Sequence, residues 1–453
     1  MNQRIATTTS PAVVYLGYAL GIAIPIFIGF YWPLYWMFPH MTPLTFRPFV
    51  LVVALALALL HSGLSVSEAE VKLLKNLAVL CLIWLGTALF AYDVTRALIG
   101  WVKILALCVL AMCFSRAMRN AAIARVFGAA LVASSLMIAV FIAATYVRFA
   151  GWTLPTYGAS RQLKNVALSD GIQLNGIAFA ALMTFVTGMC TWRKSRWNWV
   201  IGAAVLMVCS LLTGSRTPLA VLIVSALALA FVNGIRSRNL FSRYLALAAA
   251  AAVLIAAGVF LKAASFKKMS DLTEGRWDIW YVAVHKFVEH PLVGNGFESV
   301  NDDLYERMPG FYRLPRKRDD TFPGGYHNEY VGTLAEEGLI GFIPLVTLYG
   351  FLIRSSGQLA FRKWATWRNG QWALLGALFL LFRAADELPG LFGYANGLGD
   401  FQAYLFLALV VSRLSLEEDC ARRVAKRISL DGGILSRNAL KLNLRRAVRQ
   451  PVH

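Results

Sequence analysis

Apolar runs of roughly 17–25 residues, the length that carries an α-helix across a bilayer, recur from one end of this chain to the other. No other sequence feature restricts the fold so strongly. Composition agrees: of 453 residues, 58% are hydrophobic and only 15% charged, and the mean hydropathy is +0.59. A soluble chain would carry roughly 25% charged residues. The missing charge means that much of the surface faces lipid. Length alone suggests about three soluble domains, but the apolar runs argue for one membrane bundle.

The predicted spans are about 12–38, 48–61, 73–91, 97–114, 121–147, 173–191, 197–213, 218–233, 241–261, 328–353, 371–390 and 397–414. The fold class is therefore an all-α membrane protein of about 12 transmembrane helices. The eleventh run is the least clean, because Arg383, Asp386 and Glu387 interrupt it. The first run is too long for a cleaved signal and is read as a retained helix.

The net charge of +20 would raise nucleic acid in a soluble protein. Here the cations sit in short loops, which is a topology signal. Clusters at Arg116, Arg119 and Arg125, at Arg193, Lys194 and Arg196, at Arg236, Arg238 and Arg243, and at Arg354, Arg362, Lys363 and Arg368 fall in alternate loops. The positive-inside rule places them, Arg4 and the basic C-terminal tail in the cytoplasm.

Two loops fall on the opposite side, 148–172 and the far longer 262–327. This gives an expected layout of 1–261 as helices 1–9, 262–327 as a large periplasmic loop, 328–414 as helices 10–12, and 415–453 as a basic cytoplasmic tail. Within the large loop, Trp277, Tyr281, Val284 and Val288 share a helical face suited to a membrane surface. No repeat or related halves support an inverted-repeat transporter. The six cysteines lie in or beside apolar runs or in the tail, so no disulfide framework is expected.

Residues able to carry chemistry collect on the non-cytoplasmic side. Thr217 and Pro218 form a good helix start, with free N–H groups and the positive dipole end. Arg216 beside them fits a phosphate site, and equally a snorkelling anchor at a helix end. Arg276 heads the amphipathic stretch, where stacking or membrane contact competes with phosphate binding. Arg148, Arg161 and Lys164 add cations in the loop 148–172.

His327 follows Gly324-Gly325-Tyr326 and opens the tenth span. A helix N-terminus disfavours the imidazolium, and a neutral ring accepts a proton near pH 7. An interfacial histidine that only hydrogen-bonds is the plain alternative. His40, His285 and His290 are read as that kind. The first outer loop, from Phe38 to Arg47, has no acid with which to hold a divalent cation. No P-loop or dinucleotide fingerprint is present, so no metal, nucleotide or other cofactor is expected.

Four motifs, taken in order, resemble a known family. They are the Gly214-Ser215-Arg216 turn, Gly275-Arg276-Trp277-Asp278-Ile279-Trp280, Pro291-Leu292-Val293-Gly294-Asn295-Gly296, and the stretch from His327-Asn328-Glu329-Tyr330 to Gly341. Together, over roughly residues 211–345, they resemble the O-antigen ligase superfamily. That superfamily comprises O-antigen ligases, O-antigen polymerases and bacterial O-oligosaccharyltransferases. The resemblance implies a metal-independent, GT-C-like glycosyltransferase of the inner membrane with a periplasmic site. It implies an undecaprenyl pyrophosphate-linked glycan as donor and an acceptor hydroxyl. It gives His327 the activation of the acceptor, and Arg216 and Arg276 the pyrophosphate. Arg148, Arg161 and Lys164 are added from charge and position alone.

The acceptor separates the members. A ligase uses a sugar of lipid A-core, a polymerase another O-antigen unit, and the third class a pilin-like Ser or Thr. Polymerases often carry Arg-x10-Gly repeats, and Arg148, Arg161 and Arg276 lack a Gly at that offset. Protein-directed relatives usually add a C-terminal domain, which the tail after Ser415 does not supply. The ligase is the expected member. A transporter or flippase of an anionic glycolipid is the reading from a different class, and the scarcity of mid-membrane acids counts against it.

Overall fold

The computed structural model describes residues 18–19, 22–30, 66–91, 93–152, 174–191, 201–202, 212–213, 216–236, 276–296, 328–361, 370–385 and 398–430, with Val205, Val208 and Tyr244 as single positions. Among the described residues all regular structure is helical. Residues 22–30 are helical. The longer elements are α1 (Glu68–Leu89), α2 (Val94–Ala117), α3 (Ala121–Ala150), α4 (Leu174–Met189), α5 (Arg216–Arg236), α6 (Arg276–Glu289), α7 (Glu329–Phe361), α8 (Gly370–Ala384) and α9 (Leu398–Leu430). Among them α1, α2, α3 and α7 are long and apolar enough to cross a membrane, and α4, α5 and α8 contain shorter apolar stretches. The described part is thus all-helical, with four helices of membrane-spanning length and composition. The predicted spans at 48–61 and nearly all of 241–261 lie outside the described residues, as does most of the loop 262–327.

The helix ends form two layers. In one, Ser67 caps α1 by a reciprocal box: Glu70 N donates to Ser67 Oγ (3.0 Å) and Ser67 N donates to Glu70 Oε2 (2.8 Å). Ser67 Oγ also meets Ser415 Oγ of α9 at 2.6 Å. Arg119, in the turn between α2 and α3, pairs with Glu70 (3.4 Å) and with Asp419. The same layer joins α5 to α8, where Asn233 Nδ2 donates to Gln371 Oε1 (2.9 Å), and α8 to α7, where Gln371 Nε2 donates to Ala360 O (3.2 Å). The second layer contains the C-terminal ends of α1 and α8 and the start of α7.

Packing inside the bundle relies on small residues and buried polar links, because lipid supplies no hydrophobic drive between apolar helices. A Cβ on Gly188 of α4 would lie 2.8 Å from Gly128 O of α3 and 2.9 Å from Val132. One on Gly376 of α8 would lie 2.6 Å from the Phe406 ring of α9. Gln402 Nε2 of α9 donates to Thr184 Oγ1 (2.6 Å) and Ala180 O (3.2 Å) of α4. Cys81, Cys108, Cys113, Cys190 and Cys420 are free thiols.

Two elements differ from the sequence expectation. The eleventh run ends as a helix at Ala384, well before residue 390, because the start of α7 takes its last carbonyls. The twelfth continues as helix to Leu430. Its stretch 401–415 is buried, and beyond it Glu417, Glu418 and Asp419 are only partly covered, so the later turns leave the bundle.

Replacing Gly188 by Val should overpack the α3–α4 seam and destabilise the protein by about 1–3 kcal/mol, read as a lower thermal midpoint in detergent. Gly350→Ala should be neutral or slightly stabilising, since nothing lies within 4 Å of the added Cβ.

Candidate active site

The geometry of the second layer begins with a break in α7. Gly338 has φ 62 and ψ −167. That region belongs essentially to glycine. The helix restarts at once, and the stretch 339–361 is roughly 34 Å long at 1.5 Å per residue, enough to span the hydrocarbon. The turns before the break form a separate piece above it.

A break inside a membrane helix frees N–H and C=O groups that must find partners. Here the partners come from the Pro291–Gly296 stretch just after α6. Leu339 N donates to Pro291 O (2.9 Å) and Ile340 N to Leu292 O (3.1 Å). Ala335 O accepts from Asn295 N (3.1 Å), and Glu336 O accepts from Gly296 N (2.7 Å). The Asn295 side chain donates to Lys286 O and Ala335 O, each at 3.0 Å, and so fastens the end of α6 to α7. The backbones approach so closely that a Cβ on Gly294 would overlap Glu336 O, and one on Gly338 would overlap Leu292 O. Gly294 and Gly296 also hold positive φ, at 69 and 98. A Cβ on Gly296 would overlap Ala91, just past α1.

Helix α1 secures the lock from the other side. Thr87 Oγ1 donates to the buried Glu337 carboxylate, and Trp84 Nε1 donates to Gly341 O (3.1 Å). The start of α7 is tied to α8. Asn328 Oδ1 accepts from Val331 N (3.0 Å) as an N-cap, and its Nδ2 donates to Ala385 O (2.8 Å). Tyr330 OH donates to Leu381 O (2.9 Å), and Tyr349 OH donates to the buried Glu329 Oε2 (2.6 Å).

Sequence candidates fall on this frame unequally. His327 precedes Asn328 and, with Arg161 and Lys164, lies outside the described residues. Arg216 and Arg276 are the first residues of α5 and α6, and their side chains are also outside the description. Both backbones thus sit at helix N-termini; α5 begins two residues before Pro218, the start the sequence suggests, so Thr217 lies inside its first turn rather than capping it. The Asn233–Gln371 bond and the packing of α5 along α8 run these two helices antiparallel. Arg216 therefore begins α5 at the α8 end where Asn328 reaches Ala385. Arg148 lies in the last turn of α3, exposed, with its guanidinium carbon 5.8 Å from the Phe149 ring centroid.

The expected apolar face of α6 is present. Tyr281, Val284 and Val288 are exposed, while Val282, Ala283 and Lys286 point inward. Trp277, the fourth member, has no described side chain.

Two features escaped the sequence reading. One is the lock: both its motifs were visible, but nothing in them says that they touch. The other is Arg383, treated above only as an interruption. It is buried at 1% exposure, with its guanidinium 4.4 Å from the Phe179 ring centroid, one residue before the end of α8. A buried cation in a membrane segment marks a functional position more often than a structural one.

The described fold thus defines a helical membrane protein with a broken helix braced by the turn that follows α6. Residues 201–346 match the family model described as O-antigen ligase. The match runs from before α5 into α7 and contains Arg216, Arg276, His327 and both halves of the lock. No curated protein matches the chain.

Gly338→Ala should destabilise by about 1–3 kcal/mol from backbone conformation alone, and more from the collision with Leu292 O. Asn295→Ala should open the α6–α7 junction. Both should lower the thermal midpoint and speed limited proteolysis between α6 and α7.

Proposed function

We propose that this protein is an O-antigen ligase. In this reading it transfers a glycan from undecaprenyl pyrophosphate to a sugar hydroxyl of lipid A-core at the periplasmic face of the inner membrane. The observation that carries the reading is the family match over 201–346, the span that holds both motif-bearing helix starts and the lock. The charge asymmetry of the loops supports the sidedness. It puts residues 1–261 and 328–414 in the membrane, 262–327 outside and 415–453 inside.

The chemistry needs two things from the chain. The acceptor hydroxyl must lose its proton as its oxygen attacks the anomeric carbon, and His327 takes that proton. The bond from the anomeric carbon to the pyrophosphate oxygen breaks at the same time, and the lipid pyrophosphate leaves with the electron pair. Its growing charge is met by Arg216 and Arg276, with Arg148, Arg161 and Lys164 lining the approach. Fixed cations in a low-dielectric site stabilise such a charge without a metal, and helix N-termini add their dipoles. Attack opposite the leaving group inverts the anomeric centre.

Asn328 is what makes His327 a credible base. It caps α7 and is hydrogen-bonded across to α8, so the residue before it is attached to a fixed point. The broken α7 gives that point a rigid mount.

His327→Ala should lower transfer to purified lipid A-core by about 10²–10⁴-fold while leaving insertion and donor binding intact. His327→Gln separates base from hydrogen-bond donor, because Gln cannot take the proton. Near-normal transfer by the Gln variant would remove the base assignment. Arg216→Ala and Arg276→Ala should each lose a charge-assisted contact of about 1.5–3 kcal/mol, with only partial rescue by Lys. Full activity in both would return them to helix anchors.

Transfer should also persist in excess EDTA. Loss on chelation with recovery on adding magnesium or manganese would overturn the metal-independent mechanism. Transfer to a second O-antigen unit or to a pilin-like peptide, with none to lipid A-core, would reassign the acceptor.

A further inference from the structure

An apolar groove of about 400 Å³ lies between α1 and α2, remote from the lock. Leu74, Ala78 and Cys81 form one wall and Leu105 and Cys113 the other, with Arg116 at one end. Cys81 and Cys108, 3.6 Å apart at their sulfurs, lie on its floor. The surrounding surface is lipid-facing in character: Leu74, Leu82, Val102 and Val109 are 50%, 69%, 55% and 43% exposed.

Three observations identify an occupant. The first is length. From Leu105 to Arg116 a helix rises about 16 Å, close to half of a hydrocarbon core of about 30 Å. A groove of that length matches the depth of one leaflet. The second is the position of the charge. Arg116 lies in the last turn of α2, in the layer where Ser67, Arg119 and Asp419 meet, which is where a lipid headgroup would sit. The third is chemical complementarity. The lining is otherwise apolar, and guanidinium pairs with phosphate oxygens two at a time. Basic pockets between transmembrane helices are known receptors for anionic headgroups.

We propose that this groove holds one acyl chain of an anionic glycerophospholipid, with the headgroup phosphate on Arg116. The lipid fills the cleft between α1 and α2. Because α1 also carries Thr87 and Trp84 to the lock, the bound lipid supports the candidate site from the opposite leaflet. The site is separate from the transfer reaction, and its test does not use that reaction.

The groove contains its own reporter. Cys113 is half-buried in its wall, while Cys420 is exposed outside it. The full chain is reconstituted in nanodiscs of phosphatidylcholine alone or with phosphatidylglycerol. Alkylation by N-ethylmaleimide is then followed at each cysteine by peptide mass spectrometry, with Cys420 as the internal standard. Phosphatidylglycerol should slow Cys113 several-fold and leave Cys420 unchanged. Arg116→Gln should abolish the difference between the two lipids, and so should Ala78→Phe, which fills the groove. Equal Cys113 rates for the wild-type chain in both lipids would overturn the proposal, whether a stretch of the chain itself fills the groove or nothing does. Protection that survives Arg116→Gln would overturn the phosphate assignment. The wild-type comparison requires no variant to fold.

Discussion

Everything at the candidate site depends on backbone hydrogen bonds exchanged between the break in α7 and the Pro291–Gly296 stretch. Neither partner is stable alone. An α-helix broken at Gly338 exposes carbonyls and amides at membrane depth, where each unmet group costs several kcal/mol. The turn that follows α6 has the same need. Ala335 and Glu336 offer carbonyls while Leu339 and Ile340 offer amides, and the stretch answers with Asn295 and Gly296 amides and Pro291 and Leu292 carbonyls. Hydrogen bonding on both sides of one glycine turns two defects into one joint. The joint requires atoms without side chains between the backbones, which is why glycines occupy 294 and 338.

The mechanical consequence reaches the chemistry. A continuous helix of 33 residues would rise about 50 Å, far past the membrane. The break lets the first turns of α7 take their own direction. Those turns are held by α8 through Asn328 and Tyr330, and by the later part of α7 through Tyr349. Asn328 therefore stands on two packed elements, α8 and the later part of α7. Under the proposed transfer reaction such a mount matters, because small misplacements of reacting groups cost large factors in rate.

Sequence revealed the architecture more readily than the joint. Bilayer-length apolar runs and alternating cation clusters locate α2 and α3 within three residues and give α1 and α7 less closely, since α1 starts five residues earlier and α7 ends eight residues later than predicted. Hydropathy marks where a helix must be buried, and it is insensitive to how the helix ends. The ends of α8 and α9 depend on local contacts instead: Asn328 bonds Ala385 O just past α8, and α9 runs on as helix to Leu430. The candidate site was legible as motifs, since the Gly-x-Gly and Glu-Glu-Gly stretches announce special backbone. Their pairing was not legible. It joins residues about forty positions apart through main-chain atoms, which leave no pattern of side chains to read. Thr87 and Trp84 gave no signal, because a Thr and a Trp in an apolar helix look like ordinary packing.

Arg383 shows the same limit from the opposite direction. In the sequence a cation near the end of an apolar run reads as a flaw in the run. In the fold it is buried against Phe179, in the layer that also contains Ala385 and Asn328. Arginine suits that position because its charge is delocalised and weakly hydrated, and its flat face stacks on an aromatic ring. A lysine there would keep the charge but lose the stacking. Burial among apolar helices also makes the charge act over a longer range than it would in water, since little solvent screens it. An anion approaching this end of the bundle would meet a field already set by Arg383 and by the N-terminal dipole of α5.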